Sequence, residues 1–144
     1  MLAGLLALVV ASVFAGAAIY INVVEQPARL TLENKALLRQ WKPAYKRGFV
    51  MQASLAVLGF VLGMFAWWQT DNFAFVLGAI MLIANWPYTL IGIMPTNAML
   101  MNTETMSADA DSRALIVRWG RLHAVRTALG FAAVALFVIA LARG

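Results

Sequence analysis

No cysteine occurs among the 144 residues, which excludes disulfides, thiolate-bound metals, iron–sulfur clusters and cysteine nucleophiles. Histidine occurs once, so haem held by two imidazoles is excluded as well. Charge is scarce: 11 basic and 6 acidic side chains make up 12% of the chain, about half the share of a soluble domain. The remainder is dominated by apolar residues, 63% by count, with eight Met, five Trp and a mean hydropathy of +0.81. Such a chain has the bilayer as its main solvent, and its apolar runs leave little sequence for a separate soluble catalytic module.

Four stretches contain no Asp, Glu, Lys or Arg: Met1 to Val24, Gly48 to Thr70, Asn72 to Thr103 and Thr127 to Ala142. A crossing helix needs ~20 apolar residues at a rise of ~1.5 Å each. The pattern predicts an all-α protein: a four-transmembrane-helix bundle of two helical hairpins, forming a single domain over residues 1–144 with spans at about 1–24, 48–70, 72–95 and 122–142. Ala15-Gly16-Ala17 would suit signal cleavage, but no basic residue precedes it and the apolar run continues to Val24, so the first stretch reads as a retained helix.

The two long connections, Glu25 to Arg47 and Glu104 to Arg126, carry six and four Lys/Arg, against only Asp71 and Arg143 on the opposite side. Basic residues near span ends stay inside, which predicts both connections on the cytoplasmic face of a bacterial inner (cytoplasmic) membrane and both termini outside. The net charge of +5 then belongs to loops that meet anionic headgroups, and no nucleic-acid partner is implied.

The fourth run is too short. Its sixteen residues, Thr127 to Ala142, give roughly 24 Å of helix against a ~30 Å core, so the helix must draw in Leu122 to Arg126. His123 and Arg126 thereby reach the membrane boundary or pass it, where an ionisable group is costly and points to function. Snorkelling accounts equally for Arg126. Trp119, His123 and Arg126 recur at i, i+4 and i+7, which sets an indole, an imidazole and a guanidinium on one helical face. A neutral imidazole in that setting can act as a base, although a lone histidine is more often structural.

Two further groups arrive at a similar depth. In the third span Pro87 should kink the helix and Pro95 should end it, which leaves Asn97 at the inner surface as a donor to a ligand oxygen or as a turn cap. The first span closes on Asn22, Glu25, Pro27 and Arg29; Pro27 should stop or bend the helix, and Glu25 either joins the polar group or pairs with Arg29 four residues on. Convergence of these residues at one depth is the main functional signal. His123 and Glu25, with Asn97 as a weak third, offer only two firm ligands where a catalytic metal site needs three, so no metal is expected. A faint repeat is also visible: Ala36-Leu37-Leu38 with Trp41 and Tyr45 matches Ala114-Leu115-Ile116 with Trp119 and His123 at identical spacing, as two hairpins of like orientation would produce.

Glu25-x-Pro27-x-Arg29, Pro95-x-Asn97 and Trp119-x-x-x-His123-x-x-Arg126, taken together and in order, resemble the anthrone oxygenase-like family of small four-helix membrane proteins. The resemblance covers nearly the whole chain. It implies a monooxygenase that uses neither metal nor flavin and oxidises an anthrone-type ring system to the quinone with O₂. On that reading no cofactor is needed. His123 is the base, Asn97 and Trp119 donate to substrate or peroxide oxygens, Arg126 balances phenolate charge, and Glu25 orients His123 or Arg126, with Asn22 beside it on the substrate. The partners are then the lipid bilayer, a lipophilic small molecule entering between Trp- and Met-rich helices, and O₂. The small-residue faces of spans one and four also suit a homo-oligomer. The competing class is a non-catalytic membrane protein that binds a lipid or quinone-like molecule or has a structural role. A small proton-coupled exporter fits least, because no acidic residue lies near mid-membrane.

Overall fold

The computed structural model describes residues 1–143, and helices account for almost all of them. Four are long and apolar enough to cross a membrane: α1 (Leu2–Arg29), α2 (Asn34–Thr70), α3 (Ala74–Asn102) and α4 (Ala110–Ala142). They form an up-down-up-down bundle of an integral membrane protein, as the apolar runs predicted. The two long connections share one end, and the α2–α3 turn shares the other with the N-terminus and the end of α4. That turn closes on Asp71, which has φ 54° and donates its backbone N–H to Trp67 O at 2.8 Å. Aspartate is among the few side chains that tolerate this left-handed conformation.

The helices pack through small residues, as expected where lipid is as apolar as the core and only close approach is rewarded. Ala3, Ala7, Ala11 and Ala18 lie along one stripe of α1 and are buried together with Phe14, Ala56, Ala79, Ala133 and Phe137. Phe137 fits against Gly63 and Gly78. A Cβ added to Gly78 would stand 2.6 Å from the Phe137 ring. A second cluster, toward the long connections, holds Leu37, Leu38, Trp41, Ile93, Leu100, Ile116 and Trp119. Val9, Val13, Val57, Val61, Ile91 and Val138 are exposed on the outer surface, which faces lipid.

Three helical details differ from expectation. Neither Pro27 nor Pro95 ends its helix: α1 runs on to Arg29 and α3 to Asn102. The reason lies one turn earlier, where Ile21–Glu25 and Thr89–Ile93 widen into π-helical turns, each ending two residues before the proline. Proline removes a hydrogen bond and crowds the carbonyl four residues back, and a widened turn absorbs both. The ladder of α3 does break near Pro87, at Ala84, as predicted. α4 begins well before the span, at Ala110, where the Asp109 carboxylate accepts the N–H groups of Asp111 and Ser112 at 3.1 and 3.0 Å.

The basic connections are partly tied down. Lys42 donates to Met101 O and Thr103 O at the end of α3, at 3.1 and 2.5 Å. Arg113 donates to Asn34 Oδ1 and Leu30 O at 2.6 and 2.8 Å and also to Leu32 O.

The packing of Phe137 yields a first prediction. Gly78→Ala should lower stability by about 1–3 kcal/mol through overpacking. Gly16→Ala, which would meet nothing within 4 Å, should not. Thermal unfolding of both variants in one detergent would check this, and equal midpoints would contradict it.

Candidate functional site

Between the two apolar clusters the bundle contains a small polar cavity. All four helices contribute to it. Glu25 and Arg29 come from α1, Tyr45 and Gln52 from α2, Asn97 from α3, and Trp119, His123 and Arg126 from α4. The residues expected to meet do meet. Asn97, His123 and Arg126 are 1%, 2% and 7% exposed, so none of them is a surface group.

His123 is held from behind by Asn22. The carboxamide Nδ2 of Asn22 donates to Gly120 O at 2.8 Å, which turns its Oδ1 toward His123 Nδ1 at 2.9 Å; Thr127 Oγ1 donates to the same oxygen at 2.7 Å. An amide oxygen only accepts, so Nδ1 carries the proton. The neutral ring then keeps a free lone pair on Nε2. Asn22, expected to touch substrate, instead serves as the positioning group of the imidazole. The widened turn Ile21–Glu25 carries it there. Gly120 permits a similar approach nearby: a Cβ at that position would stand 2.7 Å from Gln26 Nε2, which donates to Ile116 O at 2.8 Å.

Of the two placements the sequence left open for Glu25, pairing with Arg29 is the one found, at the edge of the cavity. Glu25 Oε1 lies 2.6 Å from Arg29 and accepts from Gln40 Nε2 at 3.1 Å. A guanidinium four residues on is its nearest counter-charge, and the helix brings the two together. Arg29 in turn lies over the Trp119 ring, 5.6 Å from its centroid. Arg126 has no carboxylate partner among the described residues. It lies 5.9 Å from the centroid of Phe14, and its Nε has no hydrogen-bond acceptor. The cavity thus holds two guanidinium groups and one carboxylate, an arrangement that favours an anion. Both polar atoms of the Asn97 carboxamide also lack partners.

Tyr45, Gln52 and Arg29 had not been assigned to the site. The repeat carried the signal for Tyr45, which stands where the second hairpin has His123. Trp41 stacks on Tyr45 at 4.8 Å, Trp119 lies 5.0 Å from His123, and the two indoles meet edge to face at 5.7 Å. Arg29 and Asn97 likewise stand two residues after the prolines that follow the two widened turns. Gln52 had no such signal beyond being a polar residue inside an apolar run. Among the described residues, no group of three His, Cys, Asp or Glu side chains is arranged to hold a metal ion.

Because His123 is the only histidine, the role of Asn22 can be read directly. In ¹⁵N-histidine-labelled protein the ring should show a protonated Nδ1 and an unprotonated Nε2, and Asn22→Leu should abolish that preference. The same tautomer in both proteins would contradict the assignment.

The anthrone oxygenase family model matches residues 41–136, from Trp41 in α2 through most of α4. An anthrone oxygenase of Aspergillus fumigatus, tpcL, is 30% identical over 131 residues, which cover 84% of this chain and 81% of the relative. No solved structure matches. The matched segment includes Tyr45, Asn97, Trp119, His123 and Arg126, and the chain belongs to the anthrone oxygenase family.

Proposed function

We propose that this protein is a membrane-embedded monooxygenase that converts a lipophilic polyphenol of anthrone type to the quinone with O₂, using no metal or flavin. Family membership supports the reaction class. The observation that carries the mechanism is the Asn22 bond to His123 Nδ1, which leaves an unprotonated Nε2 in a cavity whose Arg126 has no counter-charge among the described residues.

The reaction turns a ring methylene and O₂ into a ring carbonyl and water. His123 Nε2 removes one methylene proton, and the resulting anion spreads over the rings onto the phenolic and carbonyl oxygens. Arg126 stabilises that charge in surroundings where water is scarce. The anion passes one electron to O₂, and the two radicals combine to form a carbon–oxygen bond and a peroxide anion. The imidazolium returns its proton to the outer oxygen. Loss of the second methylene proton to His123 then breaks the O–O bond, forms the carbonyl and releases hydroxide, which takes that proton and leaves as water. Asn97 and Trp119 donate to the peroxide oxygens, and Arg29, held by Glu25, adds positive charge at the far side. The distribution of Lys and Arg supports placing the long connections on the cytoplasmic side of a bacterial inner membrane.

O₂ uptake by the purified protein with emodin anthrone tests the proposal. Turnover should exceed the spontaneous rate and resist chelators, and His123→Ala should lower it by about 10²–10⁴-fold, the usual worth of a general base. Arg126→Met should lower kcat at least about tenfold, the worth of one lost charge-stabilising contact. Turnover at the spontaneous rate, or full activity in His123→Ala, would overturn the reading.

A further inference from the structure

A second space adjoins the polar cavity and shares Phe49, Gln52 and Arg126 with it. It is a narrow slot between α2 and α3, with walls formed by Ala53, Ala56, Trp86 and Leu90, and with Trp86 across its mouth it leaves little free space. Its outer mouth is continuous with a groove on the lipid-facing surface, lined by Val50, Val57, Leu58 and Val61, with Phe49, Ala53 and Trp86 common to both. Across that mouth the Trp86 indole N–H donates to Ala53 O at 3.2 Å.

The slot is apolar except at its inner end, where four polar side chains from three helices have atoms without partners: Gln52 Nε2, Asn85 Oδ1, Thr89 Oγ1 and Arg126 Nε. All four residues are more than nine-tenths buried. Buried polar atoms are normally paired, and each of these departs from that rule for a local reason. The Asn85 Nδ2 is spent on Leu82 O and Met81 O at 3.0 and 3.3 Å, so its oxygen is left over. A helical threonine usually bonds the carbonyl four residues back, as Thr70 and Thr103 do here at 2.8 Å. Thr89 opens the widened turn of α3 and makes no such bond. Three donors and one acceptor therefore lie unpaired around one space that opens onto lipid.

We infer that the slot is a binding subsite for the oxygenated edge of a flat, lipophilic hydroxyaryl ketone, loaded sideways from the bilayer between α2 and α3. A ring carbonyl accepts from Gln52, Thr89 and Arg126, and a neighbouring phenol O–H donates to Asn85 Oδ1. The flat ring lies against Ala53, Ala56 and Leu90, and Trp86 must swing off Ala53 O to admit it. Gln52 and Arg126 line both the slot and the polar cavity, so a ligand seated here borders the space that also holds His123. The ring system is taken from the oxygenase reading above; the location of the subsite is not.

Binding of emodin to the protein in lipid nanodiscs, followed by quenching of tryptophan fluorescence, tests this, with anthracene as a ring system of similar shape and no oxygen. Wild type should bind emodin saturably. Gln52→Leu and Thr89→Val should each weaken that binding at least tenfold while leaving anthracene uptake unchanged. Both variants delete unpaired atoms, so neither should lower the thermal unfolding midpoint. Ala53→Phe, which fills the mouth from the lipid side, should block emodin and keep the fold. Emodin binding equal to wild type in Gln52→Leu, Thr89→Val and Ala53→Phe would overturn the subsite, as would a loss of stability in the two polar variants. His123→Ala separates this inference from the reaction. If it binds emodin normally, with the variant pattern intact, while even wild type shows no turnover of emodin anthrone, the subsite stands and the oxygenase falls. Turnover that depends on His123 with binding indifferent to all three variants gives the reverse.

Discussion

The carboxamide of Asn22 is the contact on which the polar interior depends. Its two ends tie α1 to α4 at three points: Gly120 O, His123 Nδ1 and Thr127 Oγ1. Because the N–H₂ end is committed to a backbone carbonyl, the oxygen end has no freedom to turn, and the imidazole tautomer follows from it. Without this tie His123 would be a polar ring in an apolar bundle with either nitrogen free to carry the proton. The geometry in turn requires close approach of the helices, which the alanine stripe of α1 and Gly120 and Gly130 of α4 allow. Packing by small residues, usually read as a matter of stability, here sets a proton.

Much of this was legible in the sequence because a bilayer imposes simple rules. Charge-free runs marked the four helices, and a short final run drew His123 and Arg126 inside. The meeting of Asn97, His123 and Arg126 followed from depth alone. What did not follow has physical causes. Pro95 is read as a helix end, and Pro27 as an end or a bend, because proline breaks the bonding of a regular helix. A widened turn ahead of a proline keeps the helix going, and an apolar run does not show whether one is present. The partner of Glu25 was open between Arg29 and the imidazole, and local helical spacing decided it. Gln52, Asn85 and Thr89 escaped because hydropathy averages over a span and does not say which face turns inward.

The internal repeat is more than a pattern of aliphatic residues. Trp41 and Trp119 meet edge to face, and Tyr45 and His123, each against its own tryptophan, both line the one cavity. Gly48 stands where the other hairpin has Arg126. Each hairpin thus supplies a polar residue after its proline and an aromatic residue after its tryptophan, but the second carries the imidazole and the unpaired guanidinium. The two hairpins therefore match in the spacing of these residues and differ in the chemistry they bring to the cavity.

The widened turns also fix how this chain tolerates changes in length. Each residue added to or removed from a helix rotates everything beyond it by about 100°. Arg29 and Asn97 face the interior only with the extra residue in Ile21–Glu25 and Thr89–Ile93 in place. Deleting one residue from either turn would return it to the regular helical repeat and bring the proline's crowding of the carbonyl four residues back into play. It would also swing a guanidinium or a carboxamide toward the lipid. In these two segments a change of length would therefore displace everything beyond them at once, where a change of side chain alters a single contact.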